Sequence, residues 1–230
     1  MNSIIELSFL QMGAAYIFVI ILLFILRARG IKREKELLMA SIRMTIQLSL
    51  VGYILAYIFE ENHLLLVILA ILIMQVFAIN NVYKRIHYPL NKKIKKLIAI
   101  AMLIGTLSSI IYFIVVVIQV SPWYEARYFI PISGMMIGNA MTGVALGTQR
   151  LIEGMQDNRD KIETALMLGA HPRLAAKKVV NQAFDAAILP TINSMVGMGI
   201  VLLPGMMTGQ ILAGLSPLIA IRYQIAIMLG

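Results

Sequence analysis

The feature that most constrains this chain is a series of apolar runs, each about 20 residues long and bounded by charged or turn-forming residues. A helix needs about 20 apolar residues to cross the roughly 30 Å hydrocarbon core of a bilayer. Backbone groups that face lipid have no water partner, and the runs lack the alternating pattern of a barrel strand. The runs therefore predict membrane-spanning α-helices.

Six runs are long enough for a complete span. They cover approximately residues 8–26, 37–59, 64–82, 97–120, 128–151 and 187–203. A seventh apolar segment, 211–230, is interrupted by Pro217 and Arg222. We expect it either to cross with a kink or, preferably, to be a truncated span whose natural chain continues past Gly230. The predicted fold is an all-α, polytopic transmembrane bundle that forms a single domain over residues 1–230.

The composition agrees with a membrane protein and excludes several other classes. The chain is 60% hydrophobic and 13% charged, with a mean hydropathy of +0.86. Without cysteine it has no disulfide framework, thiol nucleophile or thiolate metal site. The net charge of +9 comes from short clusters between apolar runs, without the continuous basic patch of a nucleic-acid-binding protein. The lipid bilayer is therefore the expected partner of these charges, and no nucleic acid is expected.

The basic residues predict the orientation, because Lys and Arg in short loops stay on the cytoplasmic side. Three alternate connections hold 17 of the 20 basic residues: Arg27, Arg29, Lys32, Arg33 and Lys35; Lys84, Arg85, Lys92, Lys93, Lys95 and Lys96; and Arg150, Arg159, Lys161, Arg173, Lys177 and Lys178. The opposite loops hold Arg127 together with Glu60, Glu61 and Glu125. We expect a multi-pass protein of the inner (plasma) membrane with its N-terminus outside.

The longest polar stretch, residues 153–186, is predicted to form two short cytoplasmic helices. Gly169 suits a left-handed helix C-cap, and Pro172 suits the first turn of the next helix. One interpretation is a helix pair at the interface that merely joins two spans. The other is a coupling helix that docks into a cleft of a cytoplasmic partner. The candidate docking residues are Lys161, Glu163, Ala165, Leu166 and Gly169.

Several motifs resemble one known family. The segments ETALMLGAHP (163–172), IPISGMMIGNAM (130–141), LPTIN (189–193) and VLLPGMMTGQILAGLSPLIAIRYQI (201–225) are similar to the FetB family of ABC transporter permeases, and RMTIQLSLVGYIL (43–55) fits as well. The first segment looks like a coupling-helix motif, although Thr164 stands where alanine is usual. The resemblance implies a permease that pairs with a separate ATPase, with iron export or metal and aluminium tolerance as its role.

The chain lacks the motifs of an enzyme. It has no phosphate-binding G-x-x-x-x-G-K-[ST] loop, no H-E-x-x-H pair and no G-x-S-x-G elbow. We expect no cofactor in this chain; ATP and Mg²⁺ would be held by a partner ATPase, and the chain itself would form a homodimer. An ion carrier or channel that works without an ATPase is the alternative, disfavoured because no acidic residue lies at mid-span. A structural subunit without a pathway also stays open.

Polar and soft side chains within the spans are candidates for a transport pathway or gate. They are Arg43, Gln47, Asn139, Met141, Gly205, Met206, Met207 and Gln210. Arg43 lies close enough to the cytoplasmic end to snorkel there. The glycines around Asn139 favour an interhelical hydrogen bond over a ligand role. Methionine clusters favour adaptable packing over a metal site, and no metal ligand is assigned. Residues 205–214 are the leading candidate for an extracellular gate.

Overall fold

The computed structural model describes residues 8–86 and 88–229, where the chain is helical and has no β-strand. It divides into two compact units, Met1–Glu61 and Asn62–Gly230. The first unit contains α1 (Phe9–Ala15), α2 (Ile17–Ala28) and α3 (Glu34–Glu61). The second contains α4 (Leu64–Arg85), α5 (Lys92–Tyr112), a π-helical segment (Phe113–Ile118), α6 (Ala126–Asp157), α7 (Arg159–Met167), α8 (Pro172–Ala175), α9 (Lys177–Gly197), α10 (Gly205–Leu212) and α11 (Pro217–Leu229).

Five helical stretches of the described chain are long and apolar enough to cross a bilayer. They are Leu10–Ala28, Glu34–Glu61, Leu64–Arg85, Lys92–Ile118 and Ala126–Asp157. Each contains most or all of one of the first five predicted spans, so the prediction of a membrane-spanning helical protein is confirmed. The predicted outside position of the N-terminus concerns residues 1–7, which lie outside the described residues.

The sixth predicted span, residues 187–203, is not one continuous helix. Helix α9 begins earlier, at Lys177, and ends at Gly197. The next residues form turns, with Gly199 at a φ of +83°, and α10 begins only after Pro204. A left-handed glycine interrupts the helical path, and a proline has no N–H for the next helical bond. Counting apolar residues does not reveal such a break.

The seventh segment is likewise divided. Helices α10 and α11 pack against each other and are joined by a short turn in which Gly214 has a φ of +91°. Pro217 is the first residue of α11, where its missing N–H costs no helical hydrogen bond. Helices α10 and α11 have 8 and 13 residues, whereas the shortest of the five long stretches has 19. The described residues therefore do not form a single kinked helix over 211–230. Gly230 itself lies outside the described residues.

In the first unit, helices α2 and α3 pack side by side. The hydroxyl groups of Tyr16 and Thr45 share a hydrogen bond between the start of α2 and the middle of α3. Few side chains in this unit are buried; in α3 only Ser41 and Ile58 are. Its exposed surface is predominantly apolar, which suits contact with lipid.

Helix α6 is the centre of the second unit and packs against α4, α5 and α9. The face of α5 that points inward repeats every four residues, at Ile98, Met102, Thr106 and Ile110. This spacing places one narrow stripe toward the core and leaves the other faces apolar and exposed. The unit is therefore packed inside and covered by apolar side chains outside, as a bilayer requires.

Candidate functional site

The first candidate site is the polar hairpin of α7 and α8. Helix α7 ends in a Schellman motif: the Gly169 N–H donates to Leu166 O and the Ala170 N–H donates to Ala165 O, each at 3.0 Å. Gly169 has a φ of +85°, which a residue with a side chain adopts only under strain. Pro172 is the first residue of α8. Both sequence predictions for this turn are confirmed, and the turn has a fixed shape.

The hairpin exposes apolar side chains at its tip. Met167 and Leu168 are 85% and 84% exposed. They follow Leu166, which is 40% exposed, whereas Ala165 is half-buried. The predicted docking residues include Ala165 and Leu166 but not Met167 and Leu168, which lie off the helical stripe although they belong to the same predicted helix. The signal that could have found them is two large apolar residues directly before a predicted C-cap glycine.

The two charged residues of the docking set, Lys161 and Glu163, are exposed. Glu163 accepts a hydrogen bond from Arg159 Nε at 2.7 Å, one turn earlier on α7. This hydrogen bond and the charge of Glu163 raise the pKa of Arg159 above its ordinary value. Lys161 is exposed on the same helix. The hairpin therefore presents an apolar tip together with charges of both signs.

The second candidate site is a cavity of about 810 Å³ within the second unit. Its walls come from α5, α6, α9 and α11. Its size lies in the range of small-molecule sites in proteins.

Glycines on α6 allow α9 to approach. A Cβ atom added at Gly147 would lie 2.9 Å from the Cβ of Ala187, and one added at Gly154 would lie 2.7 Å from Val179 Cγ1. The predicted close approach of helices at the glycines is confirmed at Gly143, where an added Cβ would lie 3.0 Å from Ala187 O. At Gly138 nothing lies within 4 Å. The contact therefore begins one turn beyond Asn139.

Asn139 lines this cavity and is exposed to it. The interhelical hydrogen bond expected for its side chain is not formed with any residue of the described ranges, because α9 comes closest at Gly143 and beyond. Thr106 also lines the cavity, and its hydroxyl accepts a hydrogen bond from the buried Gln75 side chain. Sequence reasoning missed this pair, because Gln75 and Thr106 belong to different helices and their contact is not visible in either helix alone.

The other pathway candidates lie elsewhere. Met141 is half-buried on α6 but does not line the cavity. Gly205 is the first residue of α10, on which Met206 is half-buried and Met207 is buried. The Oε1 atom of Gln210 on α10 is buried without a hydrogen-bond partner in the described part of the chain. The structure therefore places α10 apart from the cavity wall.

Arg43 and Gln47 belong to the first unit. They lie one turn apart on α3 and line a groove of about 490 Å³ together with Glu36. Their predicted common helical face is thus confirmed. Across the described residues, no group of three or more histidine or carboxylate side chains converges in a way that could hold a metal ion.

Comparison with known proteins identifies the family. Residues 9–230 match the family described as Uncharacterised protein family UPF0014. The UPF0014 membrane protein YjkA of Bacillus subtilis is 34% identical over 96% of this chain and 87% of its own length. The Arabidopsis thaliana protein ALUMINUM SENSITIVE 3 is 36% identical over 94% of this chain and 77% of its own.

A third relative carries a transport description. The probable iron export permease protein FetB of Escherichia coli is 34% identical over 94% of this chain and 82% of its own length. No solved structure matches the chain. The match across nearly the whole sequence and the FetB relative confirm the resemblance seen in the motifs. This chain belongs to the UPF0014 family of membrane proteins, the family that includes FetB.

Proposed function

We propose that this chain is the membrane-spanning permease subunit of an ATP-driven ABC transporter that exports iron or a related metal across the inner (plasma) membrane. The observation that carries the proposal is the α7–α8 hairpin, with its fixed turn at Gly169 and its exposed tip at Met167 and Leu168. Exposed apolar side chains at the tip of a polar loop favour a protein partner. The chain is a permease rather than an enzyme, so ATP and Mg²⁺ belong to a separate ATPase.

The charges of the hairpin suit docking to such a subunit. Glu163 and Arg159 pair along α7, and Lys161 is exposed beside them. Apolar side chains at the centre of an interface provide most of the affinity, while surrounding charges set orientation and association rate. Two copies of this chain would bind two ATPase subunits, and ATP-driven closure of the ATPases would move both hairpins and alternate the access of the pathway.

The cargo is proposed from the relatives. FetB carries iron export in its name, and ALUMINUM SENSITIVE 3 names a metal response. The two names share metal handling, which supports export of iron or a related metal. The competing function is an ion carrier or channel that works without an ATPase, and such a protein would not use the hairpin to bind a partner.

The hairpin can be tested by ATPase stimulation in proteoliposomes. The chain is reconstituted with its co-purified ATPase, and Leu168→Ser is compared with Met155→Ser, a control at a less exposed apolar residue near the end of α6. We expect Leu168→Ser and Gly169→Pro to remove most of the stimulation while Met155→Ser retains it. Equal stimulation by all four proteins would contradict the docking role. Absence of any co-purifying ATPase would favour the carrier.

A further inference from the structure

The cavity between α5, α6, α9 and α11 is lined by neutral side chains. Among the described residues that form its wall there is no Asp, Glu, Lys, Arg or His. The polar part of the wall consists of the Asn139 amide and a few hydroxyl groups, including those of Ser109, Thr148 and Thr191. Most of the remaining wall is aliphatic, aromatic or thioether.

Polar groups in this wall are available for a ligand. The Asn139 side chain and the hydroxyls of Thr148 and Thr191 make no hydrogen bond to another residue that the structure describes, although each lines the cavity. An amide can donate and accept, so it can bind a neutral polar group without a counter-charge. On α9, the exposed side chains of Val180 and Phe184 extend the apolar part of the wall. The surface is amphipathic and uncharged.

A bare multivalent cation does not match this wall. Iron and aluminium ions bind carboxylate, imidazole or water oxygen, and a charge against an apolar wall is costly unless it is paired. Hydroxyl and amide dipoles do not neutralise two or three positive charges. The volume of about 810 Å³ is also far larger than one ion requires and instead matches a small organic molecule.

We propose that this cavity binds the exported metal as an uncharged organic chelate. The organic ligand supplies the coordination shell and neutralises the charge of the metal ion. The proposal rests on the proposed metal-export function and specifies the chemical form of the cargo. Asn139 and Thr148 would hydrogen-bond to oxygen atoms of the chelate, and the apolar wall would contact its carbon surface.

The test measures binding to the chain in lipid nanodiscs without ATP or ATPase. The probes are ferric tris-maltolate, which is a neutral chelate, and Fe²⁺ kept reduced by ascorbate. Ala140→Trp fills the cavity from α6, and Leu146→Trp places the same side chain on an exposed part of α6 outside the wall. Empty nanodiscs correct for partition into lipid, and circular dichroism with gel filtration checks folding.

We expect the wild type to bind the chelate saturably, and we expect Fe²⁺ not to displace it. Ala140→Trp should weaken this binding by about tenfold or more, whereas Leu146→Trp should leave it unchanged. If Ala140→Trp fails to fold, the double variant Asn139→Leu, Thr148→Val replaces it as the deciding variant. We expect it to weaken chelate binding likewise. Chelate binding no greater than in empty nanodiscs, or equal in the wild type and in the deciding variant, would overturn the proposal. So would Fe²⁺ binding that the cavity substitution abolishes. Because no ATPase is present, any of these failures leaves the ATPase-docking proposal standing.

Discussion

Asn62 holds the start of the central helix of the second unit. Its Oδ1 accepts the N–H of Ala126, the first residue of α6, at 3.0 Å. Its Nδ2 donates to the carboxylate of Glu125 at 2.8 Å. The first N–H groups of a helix have no partner within the helix, so this side chain satisfies one of them from 64 residues away. Asn62 also has a φ of +41°, a conformation that asparagine tolerates better than most residues.

Asn62→Ala should lower the stability of the second unit. Two hydrogen bonds are lost, one of them at a helix N-terminus, and alanine fits the left-handed backbone poorly, so we expect a loss of about 1–3 kcal/mol. Thermal unfolding in detergent measures it. Asn62→Gly separates the causes, because glycine accepts the backbone but makes no hydrogen bond. A melting temperature equal to wild type in Asn62→Gly would mean that the side-chain bonds contribute nothing.

The helices show which parts of the architecture follow from local sequence. Five long stretches and the turn at Gly169 were predictable, because hydropathy and capping are local properties. The break of α9 after Gly197 was not, since its residues are as apolar as those of a span. The hydrogen bond predicted for Asn139 does not form among the residues that the structure describes, because the sequence does not tell which glycine of α6 meets α9. The cavity could not be predicted from the sequence either, because its wall is formed by four helices that are separate in the sequence.

The contact of α6 with α9 can be tested at two glycines of the same helix. At Gly147 an added Cβ would lie 2.9 Å from one side chain and 3.2 Å from a backbone carbonyl of α9, so Gly147→Ala must force the helices apart. We expect a loss of about 1–3 kcal/mol from overpacking. At Gly138 the space is open, so Gly138→Ala should be neutral or stabilise by up to about 1 kcal/mol. Melting temperatures that fall equally for both variants would refute this account of the contact.

At the scale of the whole molecule, the distribution of charge predicts two different faces in the membrane. Basic residues flank the connections that include the α7–α8 hairpin, while Glu125 and Trp123 belong to an opposite loop. The hairpin must be cytoplasmic if it is to meet an ATPase. Orientation is therefore a precondition of the proposed coupling.

Single-cysteine labelling tests this orientation, because residues 1–230 contain no cysteine. Ser121→Cys lies in a predicted outer loop, and Thr164→Cys lies on exposed α7. A membrane-impermeant maleimide applied to intact cells should label Ser121→Cys, and should label Thr164→Cys only after permeabilisation. The reverse pattern would place the hairpin outside and would remove the basis for ATPase coupling.

The central claim is that this chain transports metal, driven by ATP hydrolysis in a partner subunit that binds the hairpin. The most direct measurement is ATP-dependent accumulation of iron, copper, zinc and aluminium in inside-out membrane vesicles that contain the chain and its ATPase, with each metal supplied both bare and as a neutral chelate. We predict ATP-dependent accumulation of iron or a related metal with wild type and Met155→Ser, and a loss of most of it with Leu168→Ser. Accumulation that proceeds without ATP, or that Leu168→Ser leaves intact, would contradict the account.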